Sequence, residues 1–281
     1  MNSLKVAVIG GTGGLGRAIA QNLASKEASV TVYGRTFRDN DVKNIKFVEV
    51  DLSLMSNIRE LITKHSFKIS EYDLIVFTAG IFAASKREET SEGLERDFAT
   101  STLNRYLLLE KSLAELEAQS PLKEGSKIKK PRIFIMAYPG AGQLGTPDDL
   151  NQEKSYSAYR CHMNTVAGNE AIVVHYSDNE HFNIYGLNPG IVKTNIRDNY
   201  LGKNSWVSKV LESFIGWFNK SPEQYAEIIT PLLTNPALDA DNGSFYDNNA
   251  KKIPASKGFD KEYADKYIRK SKELLDSKGL W

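Results

Sequence analysis

Five glycines fall within seven residues directly after a short apolar run: Lys5-Val6-Ala7-Val8-Ile9 leads into Gly10-Gly11-Thr12-Gly13-Gly14-Leu15-Gly16. Leu15, Ala18, Ile19 and Leu23 then recur at helical spacing. Strand, glycine turn and helix in that order constrain the chain severely. Residues without side chains let the backbone turn sharply and approach another group closely. The start of the helix offers unpaired N–H donors and a positive dipole end. The pyrophosphate of a dinucleotide suits such a turn. The loop satisfies GxGxxG, GxxGxxG and GxxxGxG at once, so alone it does not choose among the dinucleotide-binding folds. A glycine-rich turn with no ligand is the bland alternative.

Strand-length apolar runs alternate with helical stretches along most of the chain. Strands are expected at Lys5–Ile9, Val30–Tyr33, Ile45–Val50, Leu74–Phe77, Ile133–Met136, Ile184–Leu187 and near Ser244–Tyr246. Helices are expected after the glycine loop, from about Ser53, over Gly93–Leu116, over Ser157–His175 and over Pro222–Leu233. Repeated β–α alternation predicts an α/β fold: a doubly wound Rossmann sheet of about seven mostly parallel strands with helices on both faces. The 281 residues are read as one dinucleotide-binding domain, with a surface helix over about 260–275 that docks Tyr263, Tyr267 and Leu274.

Composition removes other classes. Lys and Arg number 36 against 35 Asp and Glu, which leaves no electrostatic argument for nucleic acid. Cys161 is the single cysteine, so no internal disulfide and no cysteine-based metal site can form. No metal is expected. Met1–Lys5 runs straight into a strand pattern and no apolar run reaches the roughly 20 residues that span a bilayer. A cytoplasmic protein is expected.

Three further segments narrow the fold. The third strand ends in Val50-Asp51-Leu52, where a carboxylate can bond an adenine amino group. The fourth ends in Thr78-Ala79-Gly80, and the sixth runs into Asn188-Pro189-Gly190-Ile191-Val192-Lys193-Thr194. Together with the glycine loop these resemble the short-chain dehydrogenase/reductase family from Lys5 to about Tyr246. The run Ser157-Ala158-Tyr159 with His162-Met163-Asn164-Thr165-Val166, and Asn188-Pro189-Gly190 with Lys193-Thr194-Asn195-Ile196-Arg197, are similar to its fungal reductase-like members, and the segment Asp149–Tyr159 looks like its retinol-dehydrogenase-like members. The resemblance implies that Gly10, Thr12, Gly14, Leu15, Gly16, Asp51, Leu52, Ala79 and Gly80 line a dinucleotide. It also implies that Pro189 and Gly190 turn the chain so that the Val192 backbone and Thr194 hydroxyl hold the nicotinamide carboxamide.

The second strand ends Val32-Tyr33-Gly34-Arg35-Thr36. An NAD enzyme usually places an acid at this strand end to hold the ribose diol. Gly34 stands there instead, and Arg35 and Thr36 offer a guanidinium fork and a hydroxyl to a 2′-phosphate. NADP(H) is the expected cofactor, with NAD(H) as the alternative if Arg35 stacks on adenine or points into water.

The family's chemistry implies a tyrosine as proton donor, a lysine four residues later, a serine beside the substrate carbonyl and an asparagine on the preceding long helix. Tyr159 lies 30 residues before Pro189 and Tyr156 lies 33; the family spacing selects Tyr159, and Tyr156 with Arg160 is the minority frame. The lysine position is then Met163, which carries no charge. His162, about 60° around the helix from Tyr159, can share its face and supply part of the missing electrostatics; a histidine merely satisfied by a neighbour is the competing reading. Tyr138 occupies the serine position and Ser101 the asparagine position. The expectation is NADPH-dependent reduction of small reactive aldehydes, with a ketone as the other carbonyl class. A catalytically silent NADP(H) sensor or scaffold is the alternative.

Asn195–Lys220 carries an apolar stripe of Val207, Val210, Leu211, Phe214 and Phe218. By resemblance it is a lid over the substrate; an interfacial membrane helix or a partner-packed helix are the other readings. The family often forms homodimers through its two long helices, here Gly93–Leu116 and Ser157–His175.

Overall fold

The computed structural model describes residues 3–64, 67–119, 130–190 and 220–281. The expected carboxamide ligands Val192 and Thr194, and the lid except for Lys220, lie outside the described residues.

The strands are β1 (Lys5–Ile9), β2 (Ser29–Gly34), β3 (Ile45–Glu49), β4 (Leu74–Phe77), β5 (Arg132–Met136), β6 (Asn183–Leu187), β7 (Phe245–Tyr246) and β8 (Lys252–Ile253). They form an 8-stranded sheet in the order β3-β2-β1-β4-β5-β6-β7-β8. Every pairing is parallel except β7 with β8. The sheet therefore gains one antiparallel edge strand over the expected seven. A two-residue strand is too short to leave a period in the sequence.

The apolar strand runs follow from burial on both faces. In β1, Ala7 and Ile9 enter one core while Val6 and Val8 enter the other, the two-residue alternation of a strand. Helices α1 (Gly14–Ser25) and α6 (Pro222–Leu233) cover the Val6 side. On the Ala7 side lie α2 (Met55–Thr63), α4 (Asn104–Gln119), α5 (Ala158–His175) and α7 (Lys261–Ser277). The chain winds outward from β1 to β3, then returns to place β4 on the other side of β1. This reversal opens a crevice at the carboxyl ends of β1 and β4.

Several expected elements are corrected in detail. Gly93–Leu116 is not one regular helix. Gly93 has φ +75° and stays outside it. Helix α3 (Arg96–Phe98) starts with the Glu95 side chain accepting from the Phe98 N–H at 2.7 Å. A π-helical turn, Ala99–Leu103, then leads into α4. The helix expected from about Ser53 starts at Met55, with no side-chain cap from Leu54 before it. The Glu92 carboxylate accepts from the backbone N–H groups of Met55 at 2.6 Å and Ser56 at 2.9 Å instead.

Helix α7 is more than a surface helix. Its Asp260 cap accepts from the Tyr263 N–H at 2.8 Å, and Ala264, Tyr267, Ile268 and Leu275 are buried. Gly168 in α5 makes this possible, since a Cβ there would meet Thr102 at 2.6 Å and the Tyr267 ring at 3.2 Å. The Tyr267 hydroxyl donates to the Asn164 carbonyl at 2.8 Å, so its burial leaves no polar group unpaired. Among the described residues no helix is long and apolar enough to cross a membrane.

We predict that Tyr267→Ala costs about 3–5 kcal/mol, as expected for a fully buried aromatic. A chemical denaturation series measures it. A cost within about 0.5 kcal/mol would mean that α7 is only laid on the surface.

Candidate active site

A cavity of about 960 Å³ follows the carboxyl ends of the strands. Gly10, Thr12, Gly14, Leu15, Gly16, Arg35, Asp51, Leu52, Ala79, Gly80, Pro189 and Gly190 line it, and so do Ser101, Tyr138, Tyr159 and His162. The structure thus brings together every expected site residue that it describes except Thr36, which is exposed and does not line the cavity. Thr36 lies beyond the end of β2, where the chain has left the sheet.

The glycine loop is shaped by clearance. Gly10 has φ +97°, and a Cβ there would sit 2.6 Å from the Ala79 Cα. A Cβ on Gly11 would press on Val32 at 2.8 Å, and one on Gly16 would strike the Thr78 hydroxyl and, at 2.5 Å, the Gly10 carbonyl. These three glycines let β1, α1 and β4 close up. Gly13 differs, with nothing within 4 Å of a Cβ built on it. It opens onto the cavity and precedes α1, whose N-terminus has no side-chain cap. Uncapped N–H donors beside an open glycine are what a pyrophosphate needs. The residues present therefore fit a dinucleotide.

Beyond the glycine loop the wall turns polar. A Cβ on Gly34 would meet the Thr12 Oγ1 at 2.8 Å, so the Thr12 side chain fills the place an acid would take. Arg35 is exposed at the cavity. Burial works against ionising Asp51. Hydrogen bonds from the Ser53 Oγ at 2.7 Å and N–H at 2.9 Å, with Arg35 and Arg96 nearby, hold its carboxyl below the usual range. Ser53 and Arg96 line the cavity too, and nothing local in the sequence marks them.

At the other end, Tyr159 is 66% exposed and has no hydrogen-bond partner among the described residues. Met163 lines the cavity in the lysine position. Tyr156 is not on the wall; its hydroxyl donates to the Ala84 carbonyl, and burial pushes its phenol well above the usual range. Arg160 of the minority frame is exposed and bonds Ser155.

His162 is neither free nor merely buried. Its Nδ1 lies 2.8 Å from Asp97 Oδ2, and its ring packs on Phe82 with centroids 4.2 Å apart. The Ser101 hydroxyl donates to the other Asp97 oxygen at 2.6 Å and accepts from the Ile81 N–H at 3.1 Å. Below them Arg105 is wholly buried. It donates to the Met136 carbonyl at 2.6 Å, to Asn169 Oδ1 at 2.7 Å and to the Ala79 carbonyl. Burial pulls its pKa down to about 9, against the attraction of Asp97. Asp97 and Arg105 were absent from the sequence expectation. Asp97 meets His162 across 65 residues of chain, and no local pattern announces such a pair.

The short chain dehydrogenase profile matches residues 5–117. An uncharacterized oxidoreductase of Saccharomyces cerevisiae is 44% identical over 278 residues, covering 98% of this chain and 88% of its own length. The chain belongs to the short-chain dehydrogenase/reductase family. Among more distant relatives, polyprenol dehydrogenase of Homo sapiens is 23% identical over 87% of this chain and 77% of its own. Retinol dehydrogenase 13 of Mus musculus is 24% identical over 96% of this chain and 83% of its own. A solved putative 2-deoxy-d-gluconate 3-dehydrogenase from Agrobacterium tumefaciens with bound NADP has TM-score 0.61 at 18% identity, over 94% of this chain and 98% of that one. That likeness shows the fold. The protein is an oxidoreductase of the short-chain dehydrogenase/reductase type, and among its described residues no cluster that could hold a metal ion is found.

For this short-chain dehydrogenase/reductase we predict opposite behaviour at two glycines. Gly16→Ala should destabilise the fold by about 1–3 kcal/mol through overpacking against backbone. Gly13→Ala should cost under about 1 kcal/mol in stability yet weaken dinucleotide binding, because its methyl enters the cavity. Thermal melts with a cofactor titration check both. Equal stability losses would contradict the clearance argument.

Proposed function

We propose that this protein is an NADP(H)-dependent reductase of small reactive aldehydes. One observation carries the reading: the glycine loop, Arg35 and the Tyr138–Tyr159–His162 group line a single continuous cavity. A silent sensor could bind through adenine and pyrophosphate alone and would need no imidazole and phenols at the far end.

Gly34 stands where a carboxylate would repel a 2′-phosphate, Thr12 closes that position to an acid, and Arg35 next to it is exposed at the cavity. The guanidinium is available for a charge-assisted pair with phosphate. The bound nicotinamide would supply the hydride. This chain's residues orient the carbonyl and manage its proton. Tyr138 and Tyr159 present hydroxyls at the cavity, and the carbonyl oxygen is held between such donors. With Met163 in the lysine position, electrostatic help to the developing alkoxide is reduced, which favours substrates that are already electrophilic. Removing one acid–base element costs about 10²–10⁴ in rate, a loss that an unhindered aldehyde tolerates better than a ketone.

Any pairing of two copies through α4 and α5 would have to include α7, because that helix covers α5 in this chain.

The test is cofactor oxidation with NADPH and NADH in parallel, against a panel of aldehydes and ketones. The expected result is turnover of small aldehydes with NADPH. We further predict that Arg35→Ala weakens NADPH binding at least about tenfold, as loss of a charge-assisted bond implies, while NADH changes little. Equal losses would remove the NADP(H) assignment. Tight NADPH binding without oxidation by any carbonyl would favour the sensor.

A further inference from the structure

We infer that His162, held by the buried carboxylate of Asp97, is the acid–base group that gives the substrate carbonyl its proton. The inference deepens the reductase reading and rests on it.

Asp97 is 0% exposed. A carboxylate in such a place costs free energy unless its oxygens are satisfied, and here both are. Oδ1 accepts from the Ser101 hydroxyl at 2.6 Å and Oδ2 faces His162 Nδ1 at 2.8 Å. A carboxylate only accepts hydrogen bonds, so Nδ1 carries a proton. Phe82 packs on one face of the ring, and α5 fixes its backbone. The ring is thus fixed in orientation and tautomer. Its other nitrogen, Nε2, has no partner among the described residues, and the side chain is 20% exposed on the cavity wall. A buried carboxylate holding one imidazole nitrogen of a residue on a ligand-cavity wall, with the other nitrogen unpartnered among the described residues, is an acid–base arrangement.

Tyr159 lacks the corresponding equipment. It is 66% exposed, and the uncharged Met163 stands in the lysine position. The groups around the dyad are Asp97 on α3, Arg105 on α4, the Glu95–Cys161 pair behind Asp97, and Tyr156 and Tyr159 on the chain leading into and along α5. Of these only Asp97 bonds the imidazole.

The step balances simply. A bound nicotinamide would supply the hydride that becomes the new C–H bond at the carbonyl carbon, leaving the C=O π pair on oxygen. That oxygen takes the proton from protonated His162 Nε2, giving the alcohol and neutral imidazole. Solvent at the cavity mouth returns a proton to Nε2. In the reverse direction the same nitrogen accepts the alcohol proton. Asp97 keeps its hydrogen bond throughout and is a positioning residue.

The test compares the full-length protein with His162→Gln, Asp97→Asn and Tyr159→Phe. With NADPH and 4-nitrobenzaldehyde, His162→Gln should lower kcat by about 10²–10⁴ and delete an ionisation from its pH profile. NADPH affinity should stay within about twofold, since the lost group faces the substrate carbonyl. Asp97→Asn should lower kcat and displace that ionisation without deleting it. Tyr159→Phe should keep it. A readout independent of turnover is the side-chain ¹H–¹⁵N NMR spectrum of the protein without cofactor, in which His162 is one of 4 histidines. In the neutral ring the proton should sit on Nδ1 rather than Nε2, and Asp97→Asn should weaken that tautomer bias. Should Asp97→Asn not fold, His162→Gln on the cavity wall carries the test. Unchanged kcat and profile in His162→Gln, or an unprotonated Nδ1, would overturn the proposal. If Tyr159→Phe deletes the ionisation and His162→Gln does not, the phenol is the acid. Absence of turnover with every carbonyl would overturn the reductase reading itself.

Discussion

A single guanidinium fixes the floor of this site. Arg105 reaches from α4 under the cavity and bonds the carbonyls of Ala79 and Met136, which follow β4 and close β5, together with Asn169 on α5. A buried cation must be hydrogen-bonded in several directions to be tolerated at all. That requirement locks two strand ends and two helices to one another. Asn169 extends the lock by donating to the Ser101 carbonyl at 2.9 Å and the Thr165 carbonyl at 2.7 Å. The π turn at Ala99–Leu103 belongs to the same frame. It lets the helix carry Ser101 and Arg105 on the cavity wall while Asp97 stays sealed behind. A π insertion costs regular hydrogen bonding and is found mostly where a site needs it.

The two ends of the cavity are built by opposite means. At the glycine loop the architecture removes atoms: Gly10, Gly11 and Gly16 vanish into close packing, and Gly34 yields its place to Thr12. At the chemical end it adds partners. Ser101, Asp97 and His162 form a chain of hydrogen bonds, and Asn188 ties the loops after β5 and β6 by donating to the Pro139 carbonyl at 2.9 Å. Glu170 accepts from Ser256, whose Oγ lies 2.8 Å away, and from the Gly140 N–H at 3.4 Å. It so anchors the turn that carries Tyr138, and burial pushes its carboxyl up despite those bonds.

This contrast explains what was legible in the sequence. The strands, the glycine loop, Asp51, Gly80 and the Pro189–Gly190 turn are short-range signals: a period, a residue without a side chain, an acid at a strand end. They located the sheet and most of the cavity wall. What stayed hidden depends on partners far apart in the chain. Glu92 caps α2 from 37 residues away, Gly168 opens a seat for Tyr267, and Asp97 finds His162 across two crossovers. His162 itself was visible, but only as a residue sharing a helix face with Tyr159. The carboxylate that distinguishes an acid–base group from a satisfied core histidine was not.

The absence of a lysine at Met163 acquires a different meaning in this frame. In water-exposed surroundings a missing charge four residues from a tyrosine would simply be lost. Here charged groups are buried at the site instead: Asp97 is sealed behind the wall, and the buried Arg105 reaches the cavity beside Ser101 and His162. Buried charges act through a lower effective dielectric than exposed ones, so each exerts more force on a nearby oxygen. The adenine end does the reverse, leaving Arg35 and Arg96 exposed where a phosphate can reach them from solvent. A ligand stretched between the two ends would be gathered by exposed charge and acted on by buried charge. That polarity follows from which carboxylates and guanidiniums the sheet and its helices bury.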